Sequence, residues 1–211
     1  MQIAILVFEK LTALDAIGPY EVLSRLPGFE LTFVSTKTGE LRTDTGRLGI
    51  TADATLEEVT EPDILLIPGG EGNRPLLHDE VVLDWVRNVH ANSTWTTSVC
   101  TGSLVLGAAG VLEGKRATSH WAYREELREY GAEPVAERVV EDGKVMTAAG
   151  VSAGIDMGLT LAARLTHDDV ARAIQLGIEY DPDPPFDAGS PEKAGEELAE
   201  LVRGFENAEA S

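Results

Sequence analysis

Short apolar runs alternate with amphipathic stretches along most of the chain. Residues 2 to 8 form an apolar run bounded by Glu9 and Lys10, and residues 14 to 26 then space their apolar side chains with a helical period. Further strands are predicted at 29 to 36, 64 to 67 and 94 to 99. Further helices are predicted at about 79 to 90, 102 to 109 and 121 to 130. This alternation predicts an α/β protein with a mostly parallel sheet and helices on both faces.

The later part of the chain carries hairpin signals and a proline-rich segment. Residues 135 to 140 and 144 to 148 are predicted to pair around the turn at Asp142, and a smaller hairpin is expected within 37 to 49. Residues 181 to 186 cannot be helical, because proline lacks a backbone donor and restricts the residue before it. Three more helices are predicted at 152 to 165, 168 to 178 and 191 to 205. We therefore expect one domain, 1–211, in which 181–211 is a C-terminal arm and helix.

The charge balance narrows the classes of partner. The chain has 36 acidic residues against 17 Lys and Arg, and a formal net charge of -19. Such a surface repels phosphate backbones and anionic lipids, so we expect neither nucleic acid nor membrane as a partner. No apolar run has the length of a membrane span, and no basic signal-peptide region begins the chain, so a cytoplasmic location is expected. The acidic balance is typical of halophilic proteins, although an ordinary acidic protein also fits it.

Cys100 is the only cysteine, which excludes an internal disulfide and a thiolate-rich zinc site. It stands where the run from Thr94 to Val99 meets a helix start at Gly102. A side chain at such a turn lies at the carboxyl edge of a parallel sheet, where a helix N-terminus lowers a thiol pKa and supplies backbone donors. The turn predicts a nucleophile elbow with an activated thiol. A buried, inert cysteine is the alternative.

Several segments together resemble a known family. They are residues 8 to 23, Ile67 to Gly70, Ser98 to Gly102, Gly114 to Thr118 with His120 and Trp121, and 179 to 191. The set resembles the DJ-1/PfpI superfamily over nearly the whole chain and looks most like its isocyanide hydratase branch. The resemblance implies a flavodoxin-like fold, a homodimer, and a cofactor-independent hydratase that adds water to a small-molecule isocyanide through a Cys100 thioimidate.

The resemblance also assigns roles to residues around the cysteine. Asp15 stands where the superfamily usually has a glutamate; enclosed by apolar neighbours, it is expected to stay protonated and to transfer protons, unless it only caps the following helix. Thr101 replaces the histidine that several relatives carry after the cysteine, which argues against a Cys-His hydrolase. It is expected to act in catalysis, where the water that hydrates the thioimidate is held near Asp15 and Thr101. Backbone N–H groups of Gly70 and Thr101, next to Gly69, are expected to stabilise developing negative charge.

Other polar residues offer alternatives. His120 is a candidate base, although most lone histidines are packed or solvated. The segment Gly150 to Gly154 fits G-x-S-x-G around Ser152, but Asp156 and His167 follow too closely in the chain to complete a hydrolase triad. The remaining histidines are expected at the surface: His78, His90 and His167. If His120 reaches Cys100, glyoxalase-type hydration or amide hydrolysis becomes the favoured alternative, and a non-catalytic redox or ligand sensor is the other.

Overall fold

The computed structural model describes residues 1–209, with side chains for residues 1–204. In chain order the strands are β1 (Gln2–Leu6), β2 (Glu30–Ser35), β3 (Gly39–Arg42), β4 (Gly49–Ala52), β5 (Ala54–Thr55), β6 (Ile64–Ile67), β7 (Trp95–Val99), β8 (Arg116–Ala117), β9 (Glu133–Pro134), β10 (Val139–Asp142) and β11 (Val145–Ala148). In the part of the chain described, seven of these strands form one sheet in the order β10-β11-β7-β6-β1-β2-β5. Only β10 runs antiparallel to its neighbour in that sheet.

Three helices lie between strands and the others follow the last strand. The helices are α1 (Ala13–Leu23), α2 (Glu80–Asn92), α3 (Gly102–Ala108), α4 (Ala153–Leu165), α5 (Asp168–Gly177), α6 (Pro191–Ala194) and α7 (Glu196–Glu209). The connection from β1 to β2 runs one way along the sheet, and those from β6 to β7 and β11 run the other way. Because such crossovers are right-handed, this reversal places α1 on one face and α2 and α3 on the other. The predicted flavodoxin-like α/β fold is confirmed.

Three predicted elements have different limits in the structure. The segment 121 to 130 contains a 3-10 helix, Arg124–Tyr130, in which only Leu127 is buried, so no continuous apolar face supports an α-helix there. The strand expected from residue 135 begins at Val139. The C-terminal helix is divided, because Gly195 has a φ of +84° between α6 and α7.

The hydrophobic core surrounds the central strands. All four residues of β6 are buried, as are four of the five residues of β1, which is the pattern of parallel strands covered on both faces. The chain forms two compact units, Met1–Ile178 and Glu179–Ser211. The single-domain organisation of 1–211 stays a prediction. Within the described range, no helix has both the length and the apolar character needed to cross a bilayer.

Candidate active site

Cys100 lies at a sharp turn between β7 and α3. Its φ is +57°, a left-handed conformation that costs a non-glycine residue about 1–3 kcal/mol and persists only where surrounding contacts hold it. Its N–H donates to the carbonyl oxygens of Ala148 and Ala149 at 3.1 and 3.0 Å. Its carbonyl oxygen accepts from the hydroxyls of Ser103 and Ser119 at 3.1 and 3.0 Å. Four hydrogen bonds therefore hold the strained elbow that the strand-to-helix pattern predicted.

Close packing brings three loops together at this turn. A Cβ on Gly102 would lie 2.1 Å from the carbonyl oxygen of Ile67, so the start of α3 presses directly against the end of β6. A Cβ on Gly69 would lie 2.6 Å from the backbone nitrogen of Thr101 and 2.9 Å from Oδ2 of Asp15. Only glycine fits at either position without displacing its neighbours. The loops after β1, β6 and β7 thus meet at the carboxyl edge, where the order of the strands reverses.

Asp15 lies in the first turn of α1 with no solvent exposure. Its Oδ2 accepts from the Gly69 N–H at 2.9 Å. Its Oδ1 is buried and makes no hydrogen bond within residues 1–204. The capping alternative is wrong, because Thr12 occupies the N-cap position and the carboxyl binds another loop. Burial raises the pKa of Asp15 to about 7, an effect that contact with Cys100 and the Gly69 N–H partly offset.

The Cys100 thiol is a weaker acid than the elbow pattern predicted. The residue is 6% exposed, and this burial raises the pKa of its thiol well above the usual range, with the negative charge of Asp15 adding to the effect. Backbone N–H groups of Thr101 and Val151 act in the opposite direction and do not compensate. The expectation of a lowered thiol pKa is therefore wrong. The structure instead pairs a neutral thiol with a carboxyl group that titrates near neutral pH.

Thr101 links the cysteine turn to the loop after β6. Its Oγ1 accepts from the Gly70 N–H at 3.1 Å, and its carbonyl oxygen accepts from Nδ2 of Asn73 at 2.7 Å. Asn73 is buried, and no sequence motif marked it. The Gly70 N–H is thus bonded to a side chain in this structure, whereas the Thr101 N–H acts on the Cys100 sulfur. The two expected backbone donors are brought together, but they serve different acceptors.

His120 lies at the side of the cysteine turn. A Cβ on Gly150 would be 2.5 Å from Cδ2 of His120, so the imidazole packs directly on that glycine. The ring centroid is 5.6 Å from that of Trp121 and 5.8 Å from that of Tyr123. These contacts place His120 in an aromatic cluster next to the site. Its role as a base stays a prediction.

The turn between β11 and α4 contributes differently from the G-x-S-x-G interpretation. Val151, with a φ of +36°, directs its backbone N–H at the Cys100 sulfur, which sequence reasoning missed. The hydroxyl of Ser152 accepts from Nη2 of Arg138 at 3.2 Å, and Arg138 also pairs with Asp156. The occurrence of Ser152, Asp156 and His167 in the chain order of a hydrolase triad is therefore incidental.

Of the remaining histidines, His78 and His167 are exposed as expected. His90 is instead half-buried, with Nδ1 2.8 Å from Oγ1 of Thr96. No group of three or more His, Cys, Asp or Glu side chains within the described residues is arranged to hold a metal ion.

Comparison with known proteins identifies the family. The family model for DJ-1/PfpI matches residues 1–164, which include the elbow and every loop that meets it. The chain belongs to the DJ-1/PfpI family. This DJ-1/PfpI chain is 46% identical over 203 residues to the isonitrile hydratase of Pseudomonas putida, a match covering 96% of the chain and 89% of that relative.

Two other members of the family are informative. The crystal structure of a THiJ/PfpI family protein from Pseudomonas syringae superposes with a TM-score of 0.95 at 38% identity, covering 99% of this chain and 87% of the other. An HTH-type transcriptional regulator of Pseudomonas aeruginosa is 30% identical over 162 residues, which are 74% of this chain and 47% of the regulator. The DJ-1/PfpI fold is therefore shared by proteins whose names describe different functions.

Proposed function

We propose that the protein is an isonitrile hydratase, which adds water to R–N≡C (an isonitrile, or isocyanide) and releases an N-substituted formamide. The observation that carries the proposal is the enclosed pair of Cys100 and Asp15, a thiol beside a carboxyl group whose pKa is about 7. A carboxyl group that titrates near neutrality both accepts and returns a proton in one turnover. The 46% identity to the isonitrile hydratase of Pseudomonas putida supports the same reaction.

The first half of the reaction joins the thiol to the substrate. The ionised Asp15 accepts the thiol proton, and the Cys100 sulfur attacks the terminal carbon of the isonitrile. A carbon–sulfur bond forms as one π pair of the carbon–nitrogen bond moves onto nitrogen, and the terminal carbon keeps its own lone pair. Asp15 then returns the proton to the same carbon. The product is the thioimidate R–N=CH–S, covalently attached to Cys100, and Asp15 is ionised again.

The second half hydrates this intermediate. Asp15 accepts a proton from a water molecule whose oxygen attacks the thioimidate carbon, and the π pair moves to nitrogen, which takes the proton from Asp15. The carbon–sulfur bond then breaks, its electron pair returns to Cys100, and the hydroxyl proton passes through Asp15 to the sulfur. R–NH–CHO leaves. One water is consumed and no electrons are exchanged, so we propose a cofactor-independent reaction.

Backbone donors stabilise the charge that moves through this sequence. The N–H groups of Thr101 and Val151 act on the sulfur, where negative charge develops as the proton leaves and again as the thioimidate breaks down. Fixed donors of this kind are effective because they need no reorganisation during the reaction. The thiol of this site is otherwise too weak an acid, so these two N–H groups stabilise the thiolate when it forms.

Turnover by the purified protein tests the proposal. Incubation with cyclohexyl isonitrile in water enriched in oxygen-18 should give N-cyclohexylformamide that carries the label in its carbonyl group. Methylglyoxal serves as the comparison substrate for the glyoxalase alternative. Labelled formamide supports the hydratase. Methylglyoxal turnover without isonitrile turnover would favour the glyoxalase alternative over the hydratase. Isonitrile binding without any product would favour the sensor function suggested by the regulator relative.

A further inference from the structure

Asp44 lies in the turn of the hairpin β3–β4 and contacts the start of α1. The Asp44 N–H donates to the carbonyl oxygen of Leu11 at 3.0 Å, and its Oδ2 accepts from Oγ1 of Thr12 at 2.9 Å. Its Oδ1 accepts from the Thr45 N–H at 2.7 Å. The exposed carboxylate thus accepts two hydrogen bonds, and a third, from the main chain of Asp44, fixes the residue at the N-terminus of the helix that carries Asp15.

Thr12 is used unusually in this arrangement. It is the N-cap residue of α1, a position whose hydroxyl normally accepts from a backbone N–H of the first turn. Here the side chain makes no capping bond; its hydroxyl donates to Asp44 instead. The start of α1 therefore lacks a side-chain cap, and the Thr12 hydroxyl instead holds the carboxylate of Asp44 at the same helix end as that of Asp15.

We propose that Asp44, held by Thr12, is a positioning residue that makes Asp15 a stronger base through the repulsion between two carboxylates at one helix end. An ordinary aspartate is a weak acceptor for a thiol proton, and efficient proton transfer needs a group that titrates near the working pH. The negative charge of Asp44 raises the pKa of Asp15, in addition to the larger effect of burial. The proposal rests on the proposed role of Asp15 as the proton carrier.

The other groups around Asp15 do not supply this charge. Cys100 faces it from the turn after β7 as a neutral thiol, and the loop after β6 contributes the Gly69 N–H. On neighbouring loops, Lys10 pairs with Glu71 at 3.1 Å and Arg42 pairs with Glu40 at 2.5 Å, and the Glu9 carboxylate accepts from the Arg42 N–H at 2.8 Å. From α4, the side chain of Ile155 packs against α1 at Gly18. Asp44 is the carboxylate whose charge acts on Asp15.

Infrared titration of the full-length protein tests the proposal directly. Carboxyl groups with ordinary pKa values have ionised above about pH 6, so the absorption of a protonated carboxyl above that pH reports Asp15. The Asp15→Asn variant should remove that signal. We expect Asp44→Asn to lower the midpoint of the Asp15 titration by about 0.5 pH unit at low salt, the size expected for two charges in largely hydrated surroundings.

Three further arms sharpen the test. Asp169→Asn removes the same charge from an exposed site on α5 and should not move the midpoint. Thr12→Val keeps the charge of Asp44 but removes the hydroxyl that holds its carboxylate. The Asp15 midpoint should then fall by part of the shift expected for Asp44→Asn. In about 1 M salt the wild-type protein and Asp44→Asn should titrate alike, since the screening length falls to about 3 Å.

Activity supplies a second readout. The acid limb of the pH profile of kcat/KM should move in Asp44→Asn by the same amount as the infrared midpoint. Equal midpoints in the wild-type protein, Asp44→Asn and Asp169→Asn, or equal shifts in both variants, would overturn the proposal. If no isonitrile is turned over at all, the proposed function fails while the infrared titration still decides the role of Asp44.

Discussion

Two strand-to-helix turns of this protein look alike in sequence and differ in chemistry. The turn from β7 to α3 carries Cys100, and the turn from β11 to α4 carries Val151 and Ser152. Each is rich in small residues, and each holds a non-glycine residue at positive φ, +57° for Cys100 and +36° for Val151. Both turns also act on the same sulfur atom, since Val151 contributes a backbone N–H to it.

The two turns differ in the residues and loops that surround them. Cys100 ends a central strand, so the loops after β1 and β6 close over it and bring Asp15 beside it. Ser152 follows β11, next to the antiparallel strand β10, and its neighbour is the exposed ion pair of Arg138 and Asp156. A nucleophile-type residue at such a turn is therefore not sufficient for catalysis. In the proposed mechanism, the loops that converge on a turn decide which turn supplies the nucleophile.

Removing the nucleophile should give the largest effect. Cys100→Ser keeps the shape of the elbow but replaces a thiol by a far weaker acid and nucleophile, so kcat for isonitrile hydration should fall by about 10³-fold or more. Intact-protein mass spectrometry during turnover should show a substrate adduct on the wild-type protein and none on the variant. Retention of most of the turnover would remove the covalent mechanism.

The acid beside the cysteine should give the next effect. Asp15→Asn preserves shape and hydrogen bonding but cannot carry a proton, so kcat should fall by about 10²–10⁴-fold. Asp156→Asn makes the same chemical change beside Ser152 and is the matched control, with an expected change below about twofold. If the two variants lose activity equally, the difference drawn between the turns is wrong.

The sequence allowed much of this site to be predicted, but not its acidity. The strand-to-helix pattern predicted the elbow at Cys100 on the carboxyl edge of the sheet, whereas the family resemblance placed Asp15 and Gly69 beside it. The N–H of Val151 and the amide of Asn73 were missed, because a backbone donor has no residue-type signature and a lone buried amide has no motif. The direction of the thiol pKa shift was also missed, since it depends on how fully the folded loops exclude water.

The buried carboxyl should also appear in the pH dependence of stability. The folded-state pKa of Asp15 is about 7, above its unfolded value near 3.8, so the folded protein holds a proton that the unfolded chain has lost. Its contribution is complete below the unfolded pKa and is lost as the pH rises towards 7, by on the order of 4 kcal/mol. Asp15→Asn should remove that slope from urea unfolding measured between pH 4 and 7. Asp156→Asn should retain the wild-type slope, and parallel curves for all three proteins would mean that Asp15 ionises normally.

The smallest effect is expected at Ser152. Among the described side chains its hydroxyl accepts one hydrogen bond, from Arg138, whose guanidinium keeps its ion pair with Asp156 when the hydroxyl is removed. Exposed interactions of this kind contribute little, so Ser152→Ala should change the free energy of unfolding by less than about 1 kcal/mol.

The contribution of this turn to catalysis should survive the same substitution. The donor to the Cys100 sulfur is the main-chain N–H of Val151, which a change of the Ser152 side chain leaves in place. We therefore expect kcat/KM within about twofold of the wild-type value, measured at the pH optimum and at one pH on either side. A loss of tenfold or more with an unchanged unfolding midpoint would place the Ser152 hydroxyl in the reaction, and the two turns would then share the chemistry that is here assigned to one of them.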